Sequence, residues 1–387
     1  MSRQTLLDIR KRRVLKELVH PGQSHFYSYT FEALKALWQE HGLTIESASL
    51  AFNWYYKKNR RGECSHHNLP QKTKHFLREK MSFALPRICA VHESADKTVK
   101  FNFELDDGKK VETVLIPFQG KYTVCLSSQV GCAMNCAFCF TGTQGLGRSL
   151  RTEEIVGQFL SVQTWLSENR PGDDRILNIV YMGQGEPLHN FDAVAASARI
   201  FISQHGLSLA DHKITVSTAG FLPGLKRWRA EMPDVNIALS LHSPFDEKRS
   251  QLIPINRKFP LAEVLALVDD IPTGKKRFVT YEYLLIQDFN DAPEDAQATG
   301  ELLQGKKAYV NLIPFNPFPG SRYKRPSESR VHEFKRVLDT YRIPTLIRTT
   351  KGDQILAACG QLNSSELEAG PRRHTNKSNS ERVSRGL

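Results

Sequence analysis

From residue 122 onward, short apolar runs alternate with longer amphipathic stretches. The runs fall at 122–127, 176–182, 213–218, 235–241, 277–286 and 308–313, with a further one at 345–349. Stretches with helical spacing lie between them, near 152–167, 191–204, 221–230, 261–270, 292–303 and 327–340. Short apolar runs separated by helices predict parallel strands buried on both faces. The expected fold is therefore α/β, a partial (βα)6-type barrel over residues 122–362. No internal repeat accompanies the alternation. In such barrels the functional groups gather at the C-terminal ends of the strands.

The preceding segments read differently. Residues 96–121 alternate apolar and polar positions around Asp106-Asp107-Gly108, which predicts a β-hairpin extension. Residues 1–95 read as a helical accessory domain. Phe31–Trp38 has helical spacing and stops near Gly42, Ser49–Tyr56 is a second helix, and Thr73–Met81 a third. Trp54, Tyr55 and Tyr56 run into Lys57-Lys58-Asn59-Arg60-Arg61. Rings beside cations suit RNA, where bases stack and phosphates pair; the same rings would equally serve a core. Beyond Leu362, Ser, Asn, Arg and Glu replace apolar residues, so 363–387 is expected to be a disordered basic tail.

Charge and cysteine usage narrow the class. A net charge of +12 points to a polyanionic partner, nucleic acid first. No apolar run approaches the roughly 18 residues of a membrane helix. The charged N-terminus lacks the apolar core of a secretory signal. Seven cysteines without such a signal suggest a reducing compartment, the cytoplasm, where thiols bind metal or react.

Three of those cysteines, Cys132, Cys136 and Cys139, fall in a C-x3-C-x2-C loop directly after the first run of the alternating region. A cubane iron–sulfur cluster normally takes four thiolates. Three would leave one iron open, the condition under which a bound metal does chemistry. The spacing also admits a structural metal site completed by Cys125, or packed free thiols. Polar groups stand at other expected strand ends: Gly183, Gly185 and Glu186 in Tyr181–Pro187, then Ser217-Thr218, Ser240-Leu241-His242 and Asn316. Together they read as a ligand-binding mouth. Cys359 lies among small residues with Arg348 and Lys351 nearby, cations that would favour its thiolate, although the local sequence suits a packed, inert thiol as well. Cys64 and Cys89 have no such surroundings.

Taken jointly, these stretches resemble the RlmN/Cfr family of RNA adenine methyltransferases, within the radical S-adenosylmethionine (radical SAM) superfamily. The likeness rests on Cys125-Leu126-Ser127-Ser128-Gln129-Val130-Gly131-Cys132, the cysteine loop, Gly145-Leu146-Gly147-Arg148, Met182–Pro187, Ser240–His242, Asn311–Gly320 and Ala357–Gln361. It implies a [4Fe-4S] cluster on Cys132, Cys136 and Cys139. It implies S-adenosyl-L-methionine (SAM) held by Gly185, Glu186, Ser217, Ser240, Leu241, His242 and Asn316. Cys359 would accept a methyl group as a thiolate nucleophile, and a second SAM, cleaved reductively, would generate the radical that activates it. The carbon would then add to C2 or C8 of an adenine, positions too electron-poor for polar methylation. Cys125 would assist proton removal and release product through a transient disulfide with Cys359. Glu112 matches a family carboxylate assigned as proton acceptor. Ribosomal RNA is the implied substrate, transfer RNA a second one. A flavodoxin or ferredoxin is the implied electron donor, and the chain is expected to be a monomer. The competing reading from residues alone is a basic RNA-binding protein with a structural or redox-sensing cluster.

Overall fold

The computed structural model describes residues 24–57, 68–173, 175–232, 234–271 and 279–364. Its centre is one ten-stranded sheet. The strands are β1 (Arg87–Glu93), β2 (Val99–Glu104), β3 (Lys110–Phe118), β4 (Lys121–Cys125), β5 (Ile176–Tyr181), β6 (Ile214–Thr218), β7 (Asn236–Ser240), β8 (Val279–Leu285), β9 (Ala308–Pro314) and β10 (Thr345–Ile347). They lie side by side in chain order. The pairs from β1 to β4 are antiparallel, and those from β4 to β10 are parallel. The α/β class, the hairpin strands and the seven parallel strands all fall where the periodicity predicts. No pairing joins β10 back to β4 among the described residues, so the parallel array is an open sheet.

Registers set the level of the strand ends. Cys125 pairs with Val180, Ser240 with Glu282, and Glu282 with Asn311. The C-terminal ends of β4 through β9 therefore share one edge. Helices cover the sheet: α4 (Thr152–Asn169), α5 (Phe191–Ile202), α6 (Leu222–Glu231), α8 (Leu261–Asp269), α9 (Pro293–Leu303) and α10 (Glu328–Thr340). A shorter helix, α7 (Asp246–Leu252), was not predicted. Its sequence, Asp-Glu-Lys-Arg-Ser-Gln-Leu, has a single apolar residue and so no apolar stripe.

Residues 24–57 and 68–82 contribute α1 (Phe31–Glu40), α2 (Ile45–Phe52) and α3 (Gln71–Lys80). Thr30 and Thr44 cap α1 and α2, accepting from the N–H groups of Ala33 and Ser47. Phe26, Tyr27, Phe52, Tyr55, Tyr56 and Phe83 form an aromatic core between them. Tyr55 and Tyr56 are fully buried, so those rings pack and are not a stacking platform for RNA; Trp54 is half-buried. The basic run from Lys58 lies outside the described residues. The Ser28 hydroxyl donates to buried Glu153 at 2.6 Å, joining this segment to the start of α4.

Residues 87–93, expected within the helical part, instead form the edge strand β1. Its residues are exposed or half-buried, so no buried apolar face announces it, and a bulge lies between Ile88 and Ala90. The expected tail begins at 363, but Asn363 and Ser364 are held against the sheet; residues 365–387 lie outside the description. No helix among the described residues is long and apolar enough to cross a membrane.

Gly224 in α6 is where the helix meets the loop following β5. A Cβ there would sit 2.2 Å from the Leu188 carbonyl oxygen. Gly-to-Ala normally gains about 1 kcal/mol in a helix. At this position the backbone contact should reverse the sign, and Gly224→Ala is expected to lower stability by about 1–3 kcal/mol in denaturant titrations.

Candidate functional site

Two cavities open at the C-terminal edge of the parallel strands. The first is lined by Cys132, Cys136 and Cys139 on one side and by Gly185, Glu186, Ser217, Ser240, His242 and Glu282 on the other. The second is lined by Cys125, Arg348, Lys351, Asn316 and Cys359. Met182, Ile313, Cys359 and Leu362 border both. Cys359 is thus the one described cysteine that faces the cysteine loop on one side and Cys125 on the other.

The cysteine loop is shaped by backbone bonds. Gly131 enters it at φ +72, and a Cβ there would lie 1.9 Å from the Gly145 oxygen, so only glycine fits. The Cys132 N–H donates to that same oxygen at 2.8 Å, and the Ala137 N–H donates to Leu252 at the end of α7. Burial pushes the Cys132 thiol up to about 12 and raises Cys136 and Cys139, each of which also feels its neighbours' charge. Buried thiolates need a cationic group to be stable, which a metal cluster would provide. Among the described residues no three His, Cys, Asp or Glu side chains converge on a single point, as ligands of one ion would. Three thiols on one loop are the donor set of an iron–sulfur cluster with one iron left open. Cys125 lines the second cavity and not this one.

The opposite wall offers donors and acceptors. Glu186 accepts from the N–H groups of Ala219 at 2.8 Å and Leu188 at 3.1 Å. Burial nevertheless raises its carboxyl to about 7, above what those bonds restore. A neighbouring ammonium would return it to the carboxylate form. Gly185, at φ +101, brings the backbone against Gln129, whose Oε1 accepts from the Glu186 N–H. Ser217 donates to Glu282 at 2.8 Å. His242 sits in the left-handed region at φ 57, and its Nδ1 accepts from the Leu284 N–H at 3.0 Å. Burial, then the Arg249 charge, push His242 down to about 3. It is the neutral ring with its proton on Nε2, hence a donor.

Three residues expected here stand elsewhere. Leu241 is fully buried in the main core, and its backbone N–H and carbonyl are taken by Glu282 and Arg249. Asn316 lines the second cavity, donating to the Cys359 carbonyl at 3.2 Å and accepting from Thr350. Glu112 lines neither cavity. Its carboxylate pairs with Lys100 at 3.0 Å and accepts from the Asn363 N–H at 2.7 Å.

In the second cavity, burial and the charge of Cys359 push Cys125 up to about 12. Arg348 is raised, chiefly by Cys359, and lies 3.6 Å from Glu282. The Cys359 loop is tied to the cysteine loop. Phe140 N–H donates to the Gly360 carbonyl at 2.7 Å, Thr141 hydroxyl to the Leu362 carbonyl at 2.7 Å, and Phe140 stacks on Phe318.

Two site residues escaped the sequence. Glu282 interrupts an otherwise apolar buried strand, a signal that was there to be read. Arg249 is fully buried and bonds the carbonyls of Leu241, Ala219 and Ser240 at 2.9–3.1 Å, and the Asn256 side chain. It ties the ends of β6 and β7, and nothing in its local sequence announces that.

Residues 126–299 match the family described as the Radical SAM superfamily. The chain is 41% identical over 341 residues to the probable dual-specificity RNA methyltransferase RlmN of Akkermansia muciniphila, covering 86% of this chain and 93% of that protein. It is 40% identical over 333 residues to the dual-specificity RNA methyltransferase RlmN of Pelobacter propionicus, covering 86% and 94%. A crystal structure of a radical SAM methyltransferase from Sphaerobacter thermophilus superposes with a TM-score of 0.81 at 35% identity, covering 88% of this chain and 99% of that one.

Two outcomes follow from this electrostatic layout. Arg249→Met leaves three buried carbonyls without a donor and should cost about 3–5 kcal/mol, read as a fall in melting temperature. For His242, the unfolded ring protonates near 6.5 while the folded ring stays neutral to about 3. The unfolded state therefore binds more protons on acidification, and stability falls. Between pH 6 and 4, urea unfolding should show the protein losing about 1.4 kcal/mol per pH unit relative to His242→Gln. Parallel pH profiles would contradict a neutral buried ring.

Proposed function

The chain belongs to the RlmN family of radical SAM RNA methyltransferases, and from that premise we propose that it methylates a ring carbon of adenine, C2 or C8, in ribosomal RNA, with transfer RNA as a second substrate. The observation that carries the reading is Cys359, on the common border of the cysteine-loop cavity and the Cys125 cavity.

Cys132, Cys136 and Cys139 would hold the [4Fe-4S] cluster that the superfamily implies. Bound there with SAM, it would supply one-electron reduction and radical chemistry toward carbons that polar methyl transfer does not reach. Glu186 would accept from the ammonium end of SAM, and Gly185, Ser217, Ser240 and the Nε2–H of His242 would complete the mouth. Asn316 acts one step removed, holding the Cys359 carbonyl.

Cys359 accepts the methyl group through sulfur, as a nucleophile beside the Arg348 guanidinium. Cys125 would take the ring proton and hand it on to the departing carbon, and its thiolate would then close a disulfide with Cys359 as the sulfur–carbon bond to the product breaks. Burial makes its thiolate, once formed, a strong base. Reduction of that disulfide and of the cluster calls for a small electron-transfer protein such as a flavodoxin or ferredoxin. The net charge of +12 suits the phosphate backbone of the substrate.

The test is anaerobic reconstitution with iron, sulfide, total RNA and labelled SAM, followed by nucleoside mass spectrometry. 2-Methyladenosine or 8-methyladenosine is expected. Cys359→Ala should abolish the product while retaining cluster iron and RNA affinity. A SAM-bound, reducible cluster that yields no methylated adenine would overturn the reading.

A further inference from the structure

The geometry points to the buried Lys100–Glu112 ion pair as a clamp that positions Cys359 by gripping both ends of its loop. This rests on Cys359 being the methyl acceptor.

The pair joins neighbouring strands of the hairpin, Lys100 on β2 and Glu112 on β3. Nζ lies 3.0 Å from Oε1, with the two side chains 11% and 1% exposed. Neither residue lines a cavity, yet each reaches the loop. The Lys100 ammonium donates to the Leu356 carbonyl at 3.4 Å, three residues before Cys359. The other Glu112 oxygen accepts from the Asn363 N–H at 2.7 Å, four residues after it. Both carboxylate oxygens are thus engaged, one by the cation and one by the strap.

The loop has reasons to need such a grip. It enters through Gly352 and Leu356, both in the left-handed region at φ 67 and 50. A left-handed leucine is an unfavourable conformation that surrounding bonds must hold. The Glu112 strand is itself fixed: its N–H donates to Gln184 Oε1 at 2.9 Å, and its carbonyl accepts from Ser127. Gln184 in turn donates to Ser364 at 3.1 Å. The glycine-rich turn after β5, the hairpin and the strap therefore form one buried polar network. Charge-assisted bonds are the stronger kind in such a network. Glu112 and Lys100 are accordingly positioning residues, acting through the loop.

A proton acceptor and a clamp fail at different steps. Methylation of Cys359 by SAM needs no RNA and no ring proton. The reconstituted holoenzyme is incubated with SAM alone, and Cys359 methylation is followed by intact-protein and peptide mass spectrometry. In parallel, iodoacetamide labelling of Cys359 is timed against exposed Cys89 as internal reference. Glu112→Ala and Lys100→Met should each slow Cys359 methylation and speed its alkylation, on the order of tenfold, as expected for loss of a charged hydrogen bond. The double variant K100M/E112M removes both grips, leaves no lone buried charge and guards against unfolding; it should show the same two changes at a melting temperature near that of the parent.

Parental methylation and alkylation of Cys359 in the double variant would overturn the clamp. So would loss confined to the RNA step in Glu112→Ala, which would make Glu112 the proton acceptor. If the parent protein itself leaves Cys359 unmethylated, the methyl-acceptor reading fails, and the alkylation rates still decide the clamp.

Discussion

The in-register pairing of the parallel strands is the constraint on which the site depends. Glu282 stands between Ser240 and Asn311, and from that row its carboxylate reaches Ser217 two strands away. Side chains alternate between sheet faces with a period of two. A one-residue slip of β8 would turn Glu282 into the helix-covered face and Tyr283 toward the cavity. The apolar packing of Tyr281, Tyr283 and Leu285 forbids that slip. The core therefore specifies the site's geometry without contributing an atom to its chemistry.

Buried charge is the second organising theme. Arg249, Glu186, Glu282, Glu112 and Lys100 all lie at or behind the strand ends with little exposure. Each is costly alone and tolerable only when bonded. Arg249 neutralises carbonyls at the ends of two strands; the Lys100–Glu112 pair closes on itself and on the strap. Glu186 faces a cavity, and its two backbone donors leave the carboxyl still raised, so a cationic ligand there would complete the compensation. Glu112 lines neither cavity, and both its oxygens are engaged, by Lys100 and by the Asn363 N–H. That difference in surroundings separates the two buried glutamates.

Much of this was legible before the fold was known. Apolar runs over 176–182 or 308–313 needed no tertiary information, because strands buried on both faces are apolar throughout. The cysteine spacing and the polar strand ends likewise stand in the local sequence, and the fold brings most of them to one cavity. What stayed hidden was set by long-range contact. Arg249 looks like any charge on a short polar helix until three carbonyls from other segments surround it. Leu241 stands between two mouth residues in sequence, yet the strand's alternation turns it into the core. Asn316 follows its strand as expected, but the chain bends so that it meets the Cys359 carbonyl. The edge strand β1 was masked by its exposure, and Tyr55 and Tyr56 by a composition that suits RNA and core alike.

The two cavities also explain why Cys359 sits on a loop and not on a strand. A strand would fix its sulfur toward one face. The loop is fastened at its ends and along its length, through Phe140, Thr141, Asn316 and Gln361, so its backbone is held. From that held backbone Cys359 borders both cavities. The proposed reaction brings one thiol to a sulfonium and then to a second thiol, and a side chain on the common border, carried by a fixed backbone, suits both encounters. Met182, Ile313 and Leu362, the other residues of the shared border, are apolar, so water gains few partners there.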